Sequence, residues 1–308
     1  MQIEEVERIA AALGRRVVDS STLAGGFSHE TCLLTLDDGQ VVARLGGPDP
    51  AIEAAVMAAG RRHVPVPEVL HVLPADGAGT RPAMILEYVS GTPLRQALSA
   101  DRYSAAVLGE LGAEVGRVVS GIAAVTFDRP GFFADAGLTV PPGGWGPQLP
   151  EFAERCMAAT PEARLDLATR RAWVDLCKAH APALERIGGQ ARLVHADMNP
   201  KNILVTRAAG GWRVDAVLDW EFSYSGCPYG DAANMVRFRD ESPAPFVAGF
   251  SAAFAEHQPA DLPPLEDWAY LGRVLDMFAL SDLVTRPIGH PVADQAAELI
   301  RRLIGEGL

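Results

Sequence analysis

A cluster of polar side chains suited to acid–base and metal chemistry lies in the segment LVHADMNPKNILV, residues 193–205. It places His195, Asp197 and Asn202 within eight residues, directly after an apolar, strand-like stretch. A second carboxylate, Asp219, ends the run VDAVLD 22 residues after Asp197. Phosphoryl transfer uses such a set, because one carboxylate orients or deprotonates the attacking hydroxyl while an amide and a second carboxylate hold Mg²⁺ against the phosphates. The spacing indicates Asp197 as the catalytic carboxylate and Asn202 and Asp219 as magnesium ligands.

Three motifs, taken in order, resemble those of the aminoglycoside phosphotransferase family of kinase-like small-molecule kinases. HADMNPKN is similar to that family's H-G-D-x-x-x-x-N loop, with Ala196 in place of the usual glycine. AVLDWE resembles its metal-binding I-D-W/F-E segment, and GCPYGDAA, residues 226–233, resembles G-x-P-x-x-D-L-A. The resemblance covers roughly residues 20–240. It implies that His195 supports the loop and that Asp231 buttresses it through backbone hydrogen bonds, without either residue touching substrate.

The resemblance also implies the fold, which is α+β and protein-kinase-like with two lobes. We expect a small β-rich N-terminal lobe over residues 1–91, which binds the nucleotide. Residues 92–308 would form a larger, mainly helical C-terminal lobe that carries the catalytic loop and the substrate site.

The periodicity of the sequence is consistent with this plan. Asp38-Gly39 is a hairpin signal between two strand-like runs, and GQVVARL leads into the alanine-rich helical segment 51–62. Strands are predicted over 68–73 and 83–88, and again within 192–218. Helices are predicted over 94–98, 104–125, 151–157 and 163–187, and from 229 to the end, with a proline- and glycine-rich loop at 129–150.

A glycine pair near the N-terminus is the candidate phosphate-binding loop. Gly25 and Gly26 allow backbone amides to approach phosphates closely, and Ser28 can add a hydroxyl. The pattern differs from G-x-G-x-x-G, so a plain hairpin turn remains the alternative.

The cation that a kinase needs on its third strand must here be an arginine, because the first 177 residues contain no lysine. Arg44 is the candidate, with Glu53 on the following helix as its partner, although Arg44 as a simple surface charge remains open. Arginine can make bidentate contacts to phosphate. By resemblance, the backbone of Glu87 and Val89 would bind the adenine edge.

The composition excludes several other classes of protein. The chain has 308 residues, a net charge of −12 and four scattered cysteines. The negative charge argues against nonspecific nucleic-acid binding, and no apolar run approaches the ~18 residues of a membrane span. The acidic, amphipathic start MQIEEVERIA is unlike a signal peptide. We expect a cytoplasmic monomer or homodimer with no nucleic-acid or membrane partner.

The acceptor must be inferred from the C-terminal helices. Between Asp219 and His290 there are 11 acids and four arginines, a net charge of −7 that would attract a cationic molecule. The candidate substrate-binding carboxylates are Glu221, Asp276 and Asp282.

The expected function is ATP- or GTP-dependent, Mg²⁺-assisted transfer of the γ-phosphoryl group to a hydroxyl of a small, cationic acceptor. By resemblance, the acceptor would be an aminoglycoside-type or other antibiotic, which the reaction would inactivate. Three alternatives remain: a kinase for a metabolite such as an amino alcohol, a sugar amine or a homoserine-like compound; a nucleotide-binding protein without catalysis; and a metal-dependent hydrolase built on the same carboxylates.

Overall fold

A computed structural model describes residues 1–23, 29–47, 49–75, 79–99, 103–142, 148–262 and 265–308. The strands are Val17–Thr22 (β1), Glu30–Leu36 (β2), Gly39–Leu45 (β3), Val69–Leu73 (β4), Ala83–Glu87 (β5), Thr92–Pro93 (β6), Arg192–Val194 (β7), Ile203–Ala208 (β8), Gly211–Val217 (β9) and Tyr224–Gly226 (β10). The α-helices are Ile3–Leu13 (α1), Ala51–Gly60 (α2), Leu94–Leu98 (α3), Ala105–Ile122 (α4), Leu149–Ala159 (α5), Leu167–His180 (α6), Tyr229–Val236 (α7), Ala244–Glu256 (α8), Trp268–Leu283 (α9) and Pro291–Glu306 (α10). Short 3₁₀ helices cover Ala181–Arg186, Arg239–Glu241 and Leu265–Asp267.

The N-terminal sheet has the order β1-β2-β3-β5-β4, and every pairing in it is antiparallel. In β2 the side chains alternate, so that Cys32, Leu34 and Leu36 are buried while the residues between them are partly exposed. β3 lies in the centre of the sheet and is paired on both edges. This central position fixes the backbone of Arg44 from both sides.

The chain crosses to the C-terminal region just after β5. Thr92 and Pro93 form β6, which pairs with β8 instead of the N-terminal sheet. β8 and β9 form a hairpin, joined by the Gly210-Gly211 turn. The N–H of Arg95 in α3 then donates to the Pro200 carbonyl at 2.8 Å. The connecting segment is thereby attached to the loop that precedes β8.

The C-terminal helices pack closely because small residues line their contacts. On α4, a Cβ added at Gly112 would lie 2.1 Å from the Phe246 carbonyl oxygen of α8. Only glycine allows the two backbones to approach so closely. Elsewhere the indole N–H of Trp173 in α6 donates to the Ser281 hydroxyl of α9 at 2.9 Å, and both residues are buried.

One apolar core joins the two regions. It includes Val56 and Met57 of α2 together with Trp220, Leu193 and Leu111 of the C-terminal region. A Cβ at Gly60 would lie 3.1 Å from the Trp220 ring, so the end of α2 rests directly on that ring. Within the described parts of the chain, no helix is long and apolar enough to cross a membrane.

The helix predicted over 163–187 is shorter than its apolar periodicity indicated. α6 ends at His180, and the chain continues as the 3₁₀ helix Ala181–Arg186. Pro182 explains the change, because proline lacks the N–H that an α-helix requires at an interior position. The short strand β10 was not predicted; it pairs with β7, which directly precedes the loop that carries Asp197.

Candidate active site

The Asp197 carboxylate is held by two side-chain amides of its own loop. Asn199 Nδ2 donates to Oδ1 at 3.1 Å, and Asn202 Nδ2 donates to Oδ2 at 3.0 Å. Both amides also donate to the Asp197 backbone carbonyl, at 3.0 and 2.9 Å. The loop therefore presents Asp197 as a fixed acceptor, with Asn202 beside it.

His195 is fully buried and ties this loop to the end of β9. Its Nε2 lies 2.8 Å from the Leu218 carbonyl, which can only accept, so Nε2 carries the proton. Its Nδ1 then accepts the Asp197 backbone N–H at 3.2 Å. Both ring nitrogens of His195 are therefore engaged within the protein.

Asp231, at the start of α7, holds the same loop from behind. Its two oxygens accept the backbone N–H groups of His195 and Ala196 at 2.9 and 2.8 Å. Burial raises the pKa of Asp231, while these two backbone hydrogen bonds lower it. Ala196 has φ = +69°, in the left-handed region that costs an alanine about 1–2 kcal/mol. The bonds to Asp231 thus hold a strained backbone at the residue before Asp197.

Asp219 follows β9 with φ = +68°. The N–H of the preceding Leu218 donates to the Asn202 carbonyl at 2.8 Å, which brings the end of β9 against the loop that carries Asp197 and Asn202. The Asp219 side chain is about one-third exposed, at 31%. The structure therefore places Asn202 and Asp219 on adjoining backbone segments.

Arg44 lies in contact with Glu53 and with Asp219. One guanidinium nitrogen, Nη1, donates to Glu53, and the other, Nη2, donates to Asp219 at 2.8 Å. The same Glu53 oxygen accepts the Trp220 N–H at 3.1 Å. Burial raises the pKa of Glu53, and Arg44 counteracts this effect. The ion pair that was expected between Arg44 and Glu53 is thus formed, and it also connects β3 and α2 to the residues around Asp219.

His29 is a member of this cluster that the sequence reasoning missed. Its Nδ1 lies 3.0 Å from Arg44 Nη2 and 3.5 Å from the Glu221 carboxylate. Burial and the neighbouring Arg44 lower the pKa of His29, although Asp219 opposes them. The available signal was its position at the end of the glycine-containing loop, directly after Ser28.

The structure says less about the other residues that were predicted to bind the nucleotide. Gly25, Gly26 and Ser28 lie outside the described residues. The Glu87 side chain is exposed; it accepts the Glu68 N–H at 3.0 Å and pairs with Arg61 at 3.1 Å. These contacts hold the segment that enters the connection between the two regions, and Val89 is partly buried in that connection.

The acceptor-side candidates differ from one another. Asp276 is buried, and both its oxygens are bonded to Arg237, at distances from 2.6 to 3.0 Å. Asn234 donates to it as well, at 2.8 Å. Asp282 is exposed and pairs with Arg286 one helical turn later. Asp276 is thus a buried, neutralised carboxylate, and Asp282 is a solvated surface charge. Of the three, Glu221 lies beside the Arg44 cluster.

The net charge of the 219–290 region does not describe a free acidic surface. In the part of the chain that the structure describes, ion pairs with arginine engage six of the 11 acids: Asp219, Asp240, Asp261, Asp267, Asp276 and Asp282. Several of these arginines come from outside the region.

By contrast, Arg273 on α9 is partly buried and has no hydrogen bond or ion pair among the described residues. Burial and the nearby Arg239 lower its pKa.

Comparison with protein families gives one match, the model of the phosphotransferase enzyme family, over residues 19–268. The chain belongs to this family. The matched range includes the loop that carries Asp197, the segment around Asp219 and the helix that carries Asp231. The resemblance drawn from the three motifs is confirmed. No curated protein matches this phosphotransferase-family chain in sequence.

Solved structures agree with the family assignment. A thermostable mutant of the aminoglycoside phosphotransferase APH(4)-Ia, in complex with AMP-PNP and hygromycin B, is 18% identical, with a TM-score of 0.70 over 99% of each chain. The complex of APH(2″)-IIIa with GDP and kanamycin is 14% identical, with a TM-score of 0.67 over 100% of each chain. At these identities the likeness establishes a shared fold, and the expected α+β, kinase-like fold is confirmed.

Proposed function

We propose that this phosphotransferase-family protein transfers the γ-phosphoryl group of ATP or GTP to a hydroxyl of a small molecule. One observation carries the proposal: Asp197, Asn202 and Asp219 lie on two adjoining backbone segments, and the phosphate-binding candidate Arg44 is in contact with Asp219. This arrangement supplies one carboxylate for the acceptor, two oxygen ligands for a cation and a guanidinium for the phosphates. The nucleotides present in the structural neighbours support it.

Asp197 is assigned to the acceptor hydroxyl. Its two amide partners fix the carboxylate and leave lone pairs of both oxygens for a further donor, since each oxygen of an ionised carboxylate can accept two bonds. A hydroxyl bound there would be oriented for attack and would give up its proton to Asp197. Positioning and electrostatics supply most of the acceleration in reactions of this kind.

The residues present fit a magnesium ion. Asn202 uses its amide nitrogen to bind Asp197, so its amide oxygen is the atom left for a cation. Asp219 adds a carboxylate oxygen that is partly exposed. Magnesium prefers few carboxylates together with phosphate oxygens and water, and it does not require a closed protein cage. When bound, it would neutralise charge on the nucleotide phosphates.

For the acceptor, the first candidate is an aminoglycoside-type antibiotic, as expected from the family and supported by neighbours solved with hygromycin B and kanamycin. Glu221 is the carboxylate we assign to a cationic group of such a molecule.

Arg273 favours a second candidate, a metabolite kinase whose acceptor carries a carboxylate, such as a homoserine-like compound. Asp276, one turn after Arg273 on α9, binds Arg237. Burial lowers the pKa of Arg237, but Asp276 raises it and Asp197 adds to the increase. The Arg273 guanidinium, which has no hydrogen bond or ion pair within the described ranges, is suited to an anionic group. Because either reaction consumes a nucleoside triphosphate, we place the protein in the cytoplasm.

The experiment is an ADP-release assay with wild type, Asp197→Asn and the exposed control Asp175→Asn, over a panel of aminoglycosides, amino alcohols and hydroxy amino acids. We expect wild type and the control to turn over one class of acceptor equally. Asp197→Asn should lower kcat by about 10²-fold or more while nucleotide binding persists. Normal turnover by a folded Asp197→Asn protein would refute the assignment, and hydrolysis of a panel compound in the absence of any nucleotide would indicate a hydrolase instead.

A further inference from the structure

His29 is packed where the N-terminal sheet meets the residues around Asp219. Its ring lies against the backbone of Gly47, which follows β3: a Cβ at that glycine would be 2.4 Å from His29 Nε2. Gly47 has φ = +74°, so a side chain there is disfavoured for a second reason. The ring is thus confined on one side by backbone and faces Arg44 and Glu221 on the other.

The hydrogen bond between Arg44 and His29 defines the state of the imidazole. A guanidinium can only donate, so the Nδ1 atom that lies 3.0 Å from Arg44 Nη2 must accept. His29 is therefore the neutral tautomer with its proton on Nε2. A protonated ring would present an N–H to the guanidinium and repel it.

Arg44 has three partners in this cluster, and they differ in what a bound nucleotide would require of them. Asp219 is a proposed ligand of the cation, so its oxygen would be needed elsewhere once a magnesium nucleotide is bound. Glu53 and His29 have no such competing role: Glu53 binds Nη1, and His29 binds Nη2. These two acceptors, one on each terminal nitrogen, can fix the plane of the guanidinium while its remaining N–H groups face the phosphates.

We infer that His29 is a positioning residue, whose Nδ1 holds the Arg44 guanidinium in the orientation that binds the α- and β-phosphates of the nucleotide. This inference rests on the proposed function, because it assigns Arg44 to a nucleotide. It gives His29 a role in phosphate recognition without direct contact to the reacting atoms.

The geometry of the hydrogen bond allows a sharp test by substitution. The side-chain oxygen of asparagine can occupy the position of a histidine Nδ1, whereas the longer glutamine places its oxygen near the position of Nε2. We therefore compare His29→Asn, His29→Gln and His29→Ala with wild type. His71→Ala, on β4 and apart from this cluster, controls for the loss of a partly buried histidine.

The measurement is calorimetric binding of Mg–ATP, Mg–ADP and adenosine. His29→Ala and His29→Gln should weaken both magnesium nucleotides about tenfold, in line with the loss of a hydrogen bond to a charged group. His29→Asn should bind them within about threefold of wild type, as should His71→Ala. Adenosine, which has no phosphate, should bind all the variants equally.

Equal binding of Mg–ADP by wild type and His29→Ala would overturn the inference and leave the proposed function intact. A parallel loss of adenosine binding would overturn it as well, because it would show that His29 supports the lobe as a whole and not the phosphate site. Failure of wild type to bind any of the three ligands would instead refute the proposed function.

Discussion

The buried pair of Arg44 and Glu53 leads to a quantitative prediction about stability. Their side chains are only 9% and 7% exposed. Replacing Arg44 by methionine, which fills similar space without charge, leaves the buried Glu53 carboxyl without its charged partner. Removal of one partner from a buried ion pair costs about 3–5 kcal/mol. Asp219 also loses its partner, but at 31% exposure it remains partly solvated and should add little.

The double variant Arg44→Met, Glu53→Gln separates the cost of an unpaired buried charge from the cost of lost side-chain contacts. Glu53→Gln keeps an acceptor for the Trp220 N–H but removes the charge. Arg44→Met with Glu53→Gln leaves no uncompensated charge at Glu53, so the double variant should be more stable than Arg44→Met alone. Urea unfolding of the four proteins gives the free energies directly. A drop of about 3–5 kcal/mol also corresponds to roughly 6–20 °C in Tm, taking about 2–4 °C per kcal/mol.

The pH dependence supplies a second check on the same reasoning. Burial already raises the pKa of Glu53, and loss of Arg44 removes the main influence that lowers it. A carboxyl whose folded pKa lies above its unfolded value favours the folded state at low pH and loses that contribution as pH rises through the folded pKa. The deficit of Arg44→Met should therefore be smaller at pH 5 than at pH 8. Strictly additive free energies, or an equal deficit at both pH values, would contradict the argument.

Further predictions concern the catalytic segments. Asp219→Ala should weaken nucleotide binding in the presence of Mg²⁺ more than in EDTA; equal losses by calorimetry would exclude a metal-binding role. Ala196→Gly should not lower Tm. The relief of about 1–2 kcal/mol of left-handed strain at Ala196 offsets the roughly 0.5–1 kcal/mol entropic cost of glycine. The control Ala181→Gly should lower Tm, because Ala181 has φ = −51° and carries no such strain. Asp231→Asn should destabilise the protein by about 1–3 kcal/mol, since one of two buried N–H groups loses its acceptor; unchanged urea unfolding would argue against that role.

The catalytic loop was predictable because its residues are close in sequence. Asp197 and Asn202 are five positions apart, and their contact at 3.0 Å follows from one tight loop. The pairing of Arg44 with Glu53 required only a strand followed by a helix. In both cases, the residue types and their spacing in sequence nearly determine which two side chains form the hydrogen bond or ion pair. The same holds for most strands and helices, where the errors are confined to ends and to short elements such as β10.

His29 and the pair of Arg237 with Asp276 were not predictable in this way. His29 reaches Arg44 because β2 and β3 are neighbours, but its contact with Glu221 spans 192 residues of sequence. Asp276 meets Arg237 because α7 packs against α9, and a Cβ on Gly272 of α9 would lie 2.8 Å from the Tyr229 carbonyl of α7. Such contacts depend on how separate helices and strands pack against one another, and local sequence patterns do not predict that packing.

The charge of the acceptor shows why composition alone cannot specify a substrate. The net charge of −7 over residues 219–290 counts acids and bases of one stretch, but ion pairs form in space. Arg192 and Arg302, which lie outside the stretch, pair with acids inside it, whereas Arg273 lies inside it and has no partner among the described residues. What a ligand encounters is the charge left after pairing, since paired charges largely cancel at a distance. The acceptor panel therefore tests the charge of the acceptor site as well as the identity of the acceptor. An antibiotic with several amino groups requires a residual negative charge beside Asp197, whereas a hydroxy acid requires a residual positive charge.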